Sequence, residues 1–167
     1  TYTFIEDSVV IDCTNINGST IPIELANKIR SSIFSLGSIL SRQKKAKVAY
    51  PGGCNIGARP IDLHIKGLKC LGVKIIERHG YIYCNGENMK AGTISLDFPS
   101  VGATENIMLA SVYLKGKTKI INCAKEPEIV DLANFLNKMG AKISGAGTST
   151  IIVEGVKTLK STEYTPI

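Results

Sequence analysis

The segment "PGGCNIGARPIDLH", Pro51 to His64, holds the residues best suited to chemistry. Cys54 lies among Gly52, Gly53 and Gly57, and Arg59 precedes Pro60. Glycine makes such a backbone easy to bend and costly to order, so the thiol is poorly placed for packing. Pro60 is a good first helical residue, which predicts helix 60–71 with Asp62 in its first turn. Arg59 then stands at the mouth of that helix. Free N–H groups there favour an anion, and a guanidinium grips phosphate or carboxylate at two points. The same positive surroundings lower a thiol's pKa. Plainer readings stand beside these: Cys54 as an ordinary loop cysteine, Arg59 as a surface partner of Asp62.

Other residues compete for attention. Arg30 falls within a predicted helix, about Leu25 to Leu40, as either a functional cation or a snorkelling surface residue. In "DFPSVGATEN", Asp97 to Asn106, Ser100 caps a helix that starts near Val101 or Gly102. The backbone amides of Ser100, Val101 and Gly102 suit a phosphate equally well. His64 and His79 have no metal-ligand company. Glu126 and Glu128 flank Pro127 at a helix start, where they complement the helix dipole or act as an acid. Cys13, Cys70, Cys84 and Cys123 lie in or near apolar runs and read as small buried hydrophobes.

The elements that position these residues come as a repeat. "GLKCLGVKI" (Gly67 to Ile75) is echoed by "NFLNKMGAKI" (Asn134 to Ile143). A strand-like run follows each, "GYIYCNG" and "STIIVEG", and a proline-led helix precedes each. Helix 60–71 turns Ile61, Ile65, Leu68 and Leu71 inward, with Gly72 at its C-terminal stop. Helix 127–139 does the same with Ile129, Leu132, Leu136 and Met139, and ends at Gly140. Each unit reads strand, helix, strand, helix, strand, strand. Boundaries fall at about 14–86 and 87–160, and residues 1–13 read as the tail of a preceding unit. Alternation in "KTKIIN" gives each sheet one apolar and one polar face, with helices on a single side. The first unit differs by the insertion that carries the glycine-cysteine segment.

Composition narrows the class. The chain of 167 residues is 44% hydrophobic and 20% charged, enough for a real core. Its net charge of +6 suits an anionic ligand, but the lysines are scattered and lack interleaved aromatics, so nucleic acid is not expected as a partner. An odd count of 5 cysteines without metal-ligand spacing points to a reducing, cytoplasmic setting. No membrane-spanning run or signal peptide is apparent. There is no GxGxxG between strand and helix, which excludes a dinucleotide fold.

"PGGCNIGARPIDLHIKGL", "LDFPSVGATENIML" and "AKEPEIVDLANFLNKMGAKISGAGTSTIIVEGV" together resemble the UDP-N-acetylglucosamine 1-carboxyvinyltransferase family of enolpyruvyl transferases, across essentially the whole chain. The resemblance implies an inside-out α/β barrel of repeated βαβαββ units, helices inside and sheets outside, of which about two and a half units are present. It implies a partial cysteine-loop domain, truncated at its N-terminal side, whose second domain is absent. The reaction it implies moves the enolpyruvyl group of phosphoenolpyruvate to the 3′-hydroxyl of UDP-N-acetylglucosamine and releases phosphate, the first committed step of peptidoglycan synthesis. No cofactor and no metal are implied.

By the same resemblance, Cys54 is the proton-donating thiol that fosfomycin alkylates. Arg59 contacts phosphate, and Arg30 belongs to the phosphoenolpyruvate site. Pro60, Ile61, Asp62 and Leu63 line the uridine pocket, and Ser100, Val101 and Gly102 surround the diphosphate. Phe98 stands where some members carry lysine. The remaining catalytic groups of the family lie outside this chain, so the chain alone is expected to be inactive. Two rivals stay open: a non-catalytic nucleotide-sugar-binding relative, and the shikimate-pathway enolpyruvyl transferase, which lacks the glycine-cysteine loop.

Overall fold

A tight turn at Glu6, whose φ is 50, folds β1 (Tyr2–Ile5) back on β2 (Ser8–Ile11) as an antiparallel hairpin. Its side chains are exposed throughout, Tyr2 and Phe4 at 71% each. The computed structural model describes residues 2–12, 15–51 and 61–167.

The first repeat begins with β3 (Thr20–Ile21) and a single helical turn, α1 (Ile23–Ala26). The single helix expected over 25–40 is broken. A 3-10 turn, Arg30–Phe34, leads into α2 (Ser35–Gln43). The break has a local cause. Ile29 is extended, at φ −139 and ψ 134. The hydroxyl of Ser32 donates to the carbonyl of Ala26 at 3.3 Å, taking the place of a helical partner. Leu25 and Ile29 consequently leave the predicted stripe, 55% and 59% exposed, while Ile33, Leu36 and Leu40 stay buried. Arg30 therefore opens a tight turn instead of lying mid-helix.

The unit continues with β4 (Lys45–Ala49), α3 (Asp62–Cys70), β5 (Lys74–Arg78) and β6 (Tyr81–Asn85). The second repeat supplies β7 (Thr93–Ser95), α4 (Val101–Ser111), β8 (Lys117–Ile121), α5 (Pro127–Lys138), β9 (Lys142–Ser144) and β10 (Thr150–Glu154). The two sheets share one plan. Their orders are β3-β4-β6-β5 and β7-β8-β10-β9, with a parallel first pair and antiparallel pairs after it.

The helix ends repeat as closely as the sheets. After α3, Gly72 at φ +91 lets its own N–H reach Lys69 O and lets Val73 N–H reach Leu68 O. After α5, Gly140 at φ +101 gives the matching pair, to Asn137 O and Leu136 O. This six-to-one closure needs a left-handed residue, which glycine adopts without strain.

Helices occupy the inside. On β8, Lys117 and Lys119 are exposed while Thr118 and Ile120 are buried. Val48, Ile82, Ile151 and Val153 point the same way, into one core shared by both repeats. At the centre lies α4, packed against α2, α3 and α5. It buries Ala103, Thr104, Asn106, Ile107, Met108, Ala110 and Ser111, so it shows no amphipathic period. No helix among the described residues is long and apolar enough to cross a membrane.

Candidate functional site

The N-terminus of α4 is built by Ser100, whose Oγ accepts from Ala103 N–H at 3.3 Å. The capping role foreseen for Ser100 is thus present. A cap satisfies only one of the helix's first N–H groups. The N–H groups of Val101 and Gly102 have no intrahelical acceptor, and both residues line an adjoining cavity of about 590 Å³.

Three distant stretches of chain meet around that cavity. The 3-10 turn contributes Arg30, Ile33 and Phe34; the start of α3 contributes Asp62, Leu63 and His64; the loop into α4 contributes Phe98 to Gly102. Arg30, Asp62, Leu63, Ser100, Val101 and Gly102 are therefore brought together. Ile61 is not among them. It is 9% exposed, packs in the core beneath α3, and borders a separate hollow with Lys66 and Cys70. Cys54, Arg59 and Pro60 lie outside the described residues.

The cavity is braced from outside. Lys66 on α3 pairs with Asp97 at 2.5 and 2.6 Å, tying the helix to the segment that carries Phe98. Phe98 is 66% exposed on the rim. Its aromatic ring offers stacking surface there.

His64 has no metal-ligand company in the sequence, and the fold gives it a different setting. It is 6% exposed and stacks on Phe34 with ring centroids 6.1 Å apart. Its Nδ1 lies 3.1 Å from Asn106 Nδ2. Burial, helped by the Arg30 guanidinium and opposed by Asp62, pushes its pKa down to about 4. Such a ring is neutral at physiological pH. Asn106 also escaped sequence reasoning. Its one signal was an amide within the otherwise apolar run "NIMLA".

A second groove runs between α4 and α5, lined by Leu109, Leu132, Phe135 and Tyr164 together with Glu105, Glu128 and Asp131. Burial, then Glu128, raises the pKa of Glu105. Charge decides between the two hollows. An anion suits the one with Arg30 and a helix N-terminus, not the one with three carboxyls. Glu126 accepts from Lys125 N–H at 2.7 Å, ahead of α5, and makes no capping hydrogen bond to the helix.

The cysteines divide. Cys84 and Cys123 are buried, and burial pushes the Cys84 thiol up to about 12 and raises that of Cys123. Cys70, expected to be buried, is exposed. It lies off the Ile61, Ile65, Leu68 and Leu71 stripe that α3 turns inward. No cluster of metal-ligating side chains occurs among the described residues.

Comparison with known proteins agrees with this architecture. A sequence profile of the EPSP synthase (3-phosphoshikimate 1-carboxyvinyltransferase) family matches residues 2–166. UDP-N-acetylglucosamine 1-carboxyvinyltransferase 2 of Caldanaerobacter subterraneus is 58% identical over 95% of this chain and 38% of its own length. The like-named protein of Carboxydothermus hydrogenoformans is 53% identical over 99% of this chain and 39% of its own. The chain thus spans about two fifths of the length of these curated relatives. Among solved structures, the enolpyruvyl transferase NikO from Streptomyces tendae superimposes with a TM-score of 0.77 at 19% identity, over 93% of this chain and 37% of that one. EPSP synthase from Acinetobacter baumannii gives a TM-score of 0.61 at 23% identity, over 80% of this chain and 30% of that one. At these identities the structures speak for the fold.

Proposed function

Because the chain belongs to the EPSP synthase (3-phosphoshikimate 1-carboxyvinyltransferase) family, we propose that the protein carrying it transfers the enolpyruvyl group of phosphoenolpyruvate to the 3′-hydroxyl of UDP-N-acetylglucosamine. Phosphate leaves, and the product feeds cytoplasmic peptidoglycan synthesis. The observation that carries this reading is the convergence of Arg30, Asp62, Leu63 and Ser100 to Gly102 on one cavity, in a chain 58% identical to a protein named for that reaction.

The chemistry divides among named residues. The hydroxyl oxygen adds to C2 of phosphoenolpyruvate while a proton reaches its methylene carbon. Loss of that carbon's proton and of phosphate then restores the double bond. Cys54 is assigned as the proton donor, on a glycine-rich segment able to bring it in and exclude water. Arg59 and Arg30 hold phosphate and carboxylate groups. Pro60 to Leu63 border the uridine, although Ile61 contributes through packing. The amides at Val101 and Gly102 receive the diphosphate. Residues 14–86 and 87–160 are assigned as two βαβαββ units, which the matching sheet orders support. The other catalytic groups are assigned to parts of the protein outside this chain, some upstream of Thr1 and some in a second domain, so residues 1–167 alone are expected to be inactive.

The test is phosphate release by the full-length protein from phosphoenolpyruvate, with UDP-N-acetylglucosamine or shikimate 3-phosphate as acceptor. Turnover with the first and none with the second supports the reading. The reverse pattern assigns the protein to the shikimate reaction, and turnover with neither leaves a binding-only relative. Cys54→Ala should abolish turnover; survival of activity removes Cys54 as the essential acid.

A further inference from the structure

Asn106 is held in one orientation by two groups of unambiguous chemistry. Gly37 N–H can only donate, and it donates to Asn106 Oδ1 at 2.6 Å. Ile33 O can only accept, and it accepts from Asn106 Nδ2 at 3.2 Å. The amide therefore cannot be flipped without placing donor against donor and acceptor against acceptor. The same Nδ2 stands 3.1 Å from His64 Nδ1, so Nδ1 must accept. A neutral imidazole that accepts at Nδ1 carries its proton on Nε2.

His64 forms part of the wall of the cavity at the start of α4. A side-chain carbon placed on Gly102 would lie 3.2 Å from His64 Nε2, so the ring edge and the first turn of α4 border the same space. Among the described residues, nothing accepts a hydrogen bond from Nε2. His64 is 6% exposed and Nε2 shares in that access, since Thr118 Oγ1 is the one fully buried side-chain polar atom without a partner among the described residues.

Resting on the reading of this cavity as the nucleotide-sugar site, we propose that His64 is a neutral hydrogen-bond donor to a diphosphate oxygen through Nε2–H, with Asn106 as the positioning residue that fixes its tautomer. Nε2–H and the amides of Val101 and Gly102 converge on the same anion. Burial and Arg30 keep the ring uncharged against the pull of Asp62, so it contributes a directed donor without a titrating charge. Through Asn106, the site is tied to α2 and the 3-10 turn that carries Arg30.

The experiment uses the full-length protein, with UDP and UDP-N-acetylglucosamine as probes in titration calorimetry. His64→Leu should weaken UDP binding about tenfold, and the loss should appear in KM for the nucleotide sugar more than in kcat. His64→Gln, which returns a donor near the position of Nε2, should recover most of it. A purely structural histidine would not show that rescue. Nitrogen NMR of the unmodified protein checks the tautomer without any variant: Nδ1 should be bare, Nε2 protonated, and the Nε2–H signal should move when UDP is added. A proton on Nδ1 overturns the proposal, as does a folded His64→Leu protein that binds UDP as tightly as the parent. Failure of the unmodified protein to bind UDP or UDP-N-acetylglucosamine instead overturns the reading of the cavity itself.

Discussion

Gly37 N–H donates to Asn106 Oδ1 at 2.6 Å, and this contact between α2 and α4 exists because residue 37 has no side chain. A carbon added there would overlap the Asn106 main-chain carbonyl. Two effects oppose each other in Gly37→Ala. Helix propensity favours alanine by about 1 kcal/mol, while overpacking against rigid backbone costs about 3 kcal/mol. The substitution should therefore destabilise the protein by about 2 kcal/mol, visible as a lower urea midpoint with an unchanged slope. A neutral or stabilising result would show that the helices can part freely.

Stability should fall in acid because His64 is buried uncharged. Its pKa drops from an ordinary 6.5 to about 4 on folding, so below 6.5 the unfolded chain binds the proton more readily. The contribution is fully present above that value and is lost as pH falls toward 4, by about 3 kcal/mol in all. Unfolding measured across this window should show a smaller acid loss in His64→Gln than in the parent. Equal slopes in the two proteins would mean that His64 titrates normally.

Thiol reactivity should follow burial. A brief treatment of the folded protein with iodoacetamide at about neutral pH should label Cys70 and spare Cys84 and Cys123, because the latter are buried and their thiolates disfavoured. Peptide mass spectrometry reads the sites. Prompt labelling of Cys84 would mean that the β6 region opens easily.

Gly102→Ala should separate binding from folding. The added carbon would come within 2.7 Å of Phe34 Cε1 and 3.1 Å of His64 Cε1, both on side chains able to shift. The expected stability change is within about 1 kcal/mol, whereas UDP affinity should drop about tenfold as the rings move into the cavity. Calorimetry and urea unfolding on the same preparation check both halves. Unchanged affinity would place the nucleotide elsewhere.

Much of the scaffold could be read locally. The inward stripes of α3 and α5, the glycine stops at Gly72 and Gly140, the Ser100 cap and the alternation along β8 all depend on neighbours within a turn or two of chain. The same local reasoning failed at 25–40. Apolar spacing there fits a helix, yet Ser32 binding back to Ala26 and an extended Ile29 break it. Cys70 was misplaced because an apolar neighbourhood in sequence says nothing about which side of a helix a residue occupies.

The site divides along the same line. The motif around Cys54 and the start of α4 announced themselves by residue type, because glycine, proline and serine carry their backbone preferences with them. Sequence alone therefore determined the repeated pattern and the family. His64 gave no such signal, since its chemistry is set by Asn106, 42 residues further along. Its proton position depends on an amide whose own orientation depends on Gly37 and Ile33. Only the tertiary structure decides such a chain of contacts, because a hydrogen bond between helices is fixed by how those helices cross and not by the spacing of residues within either one.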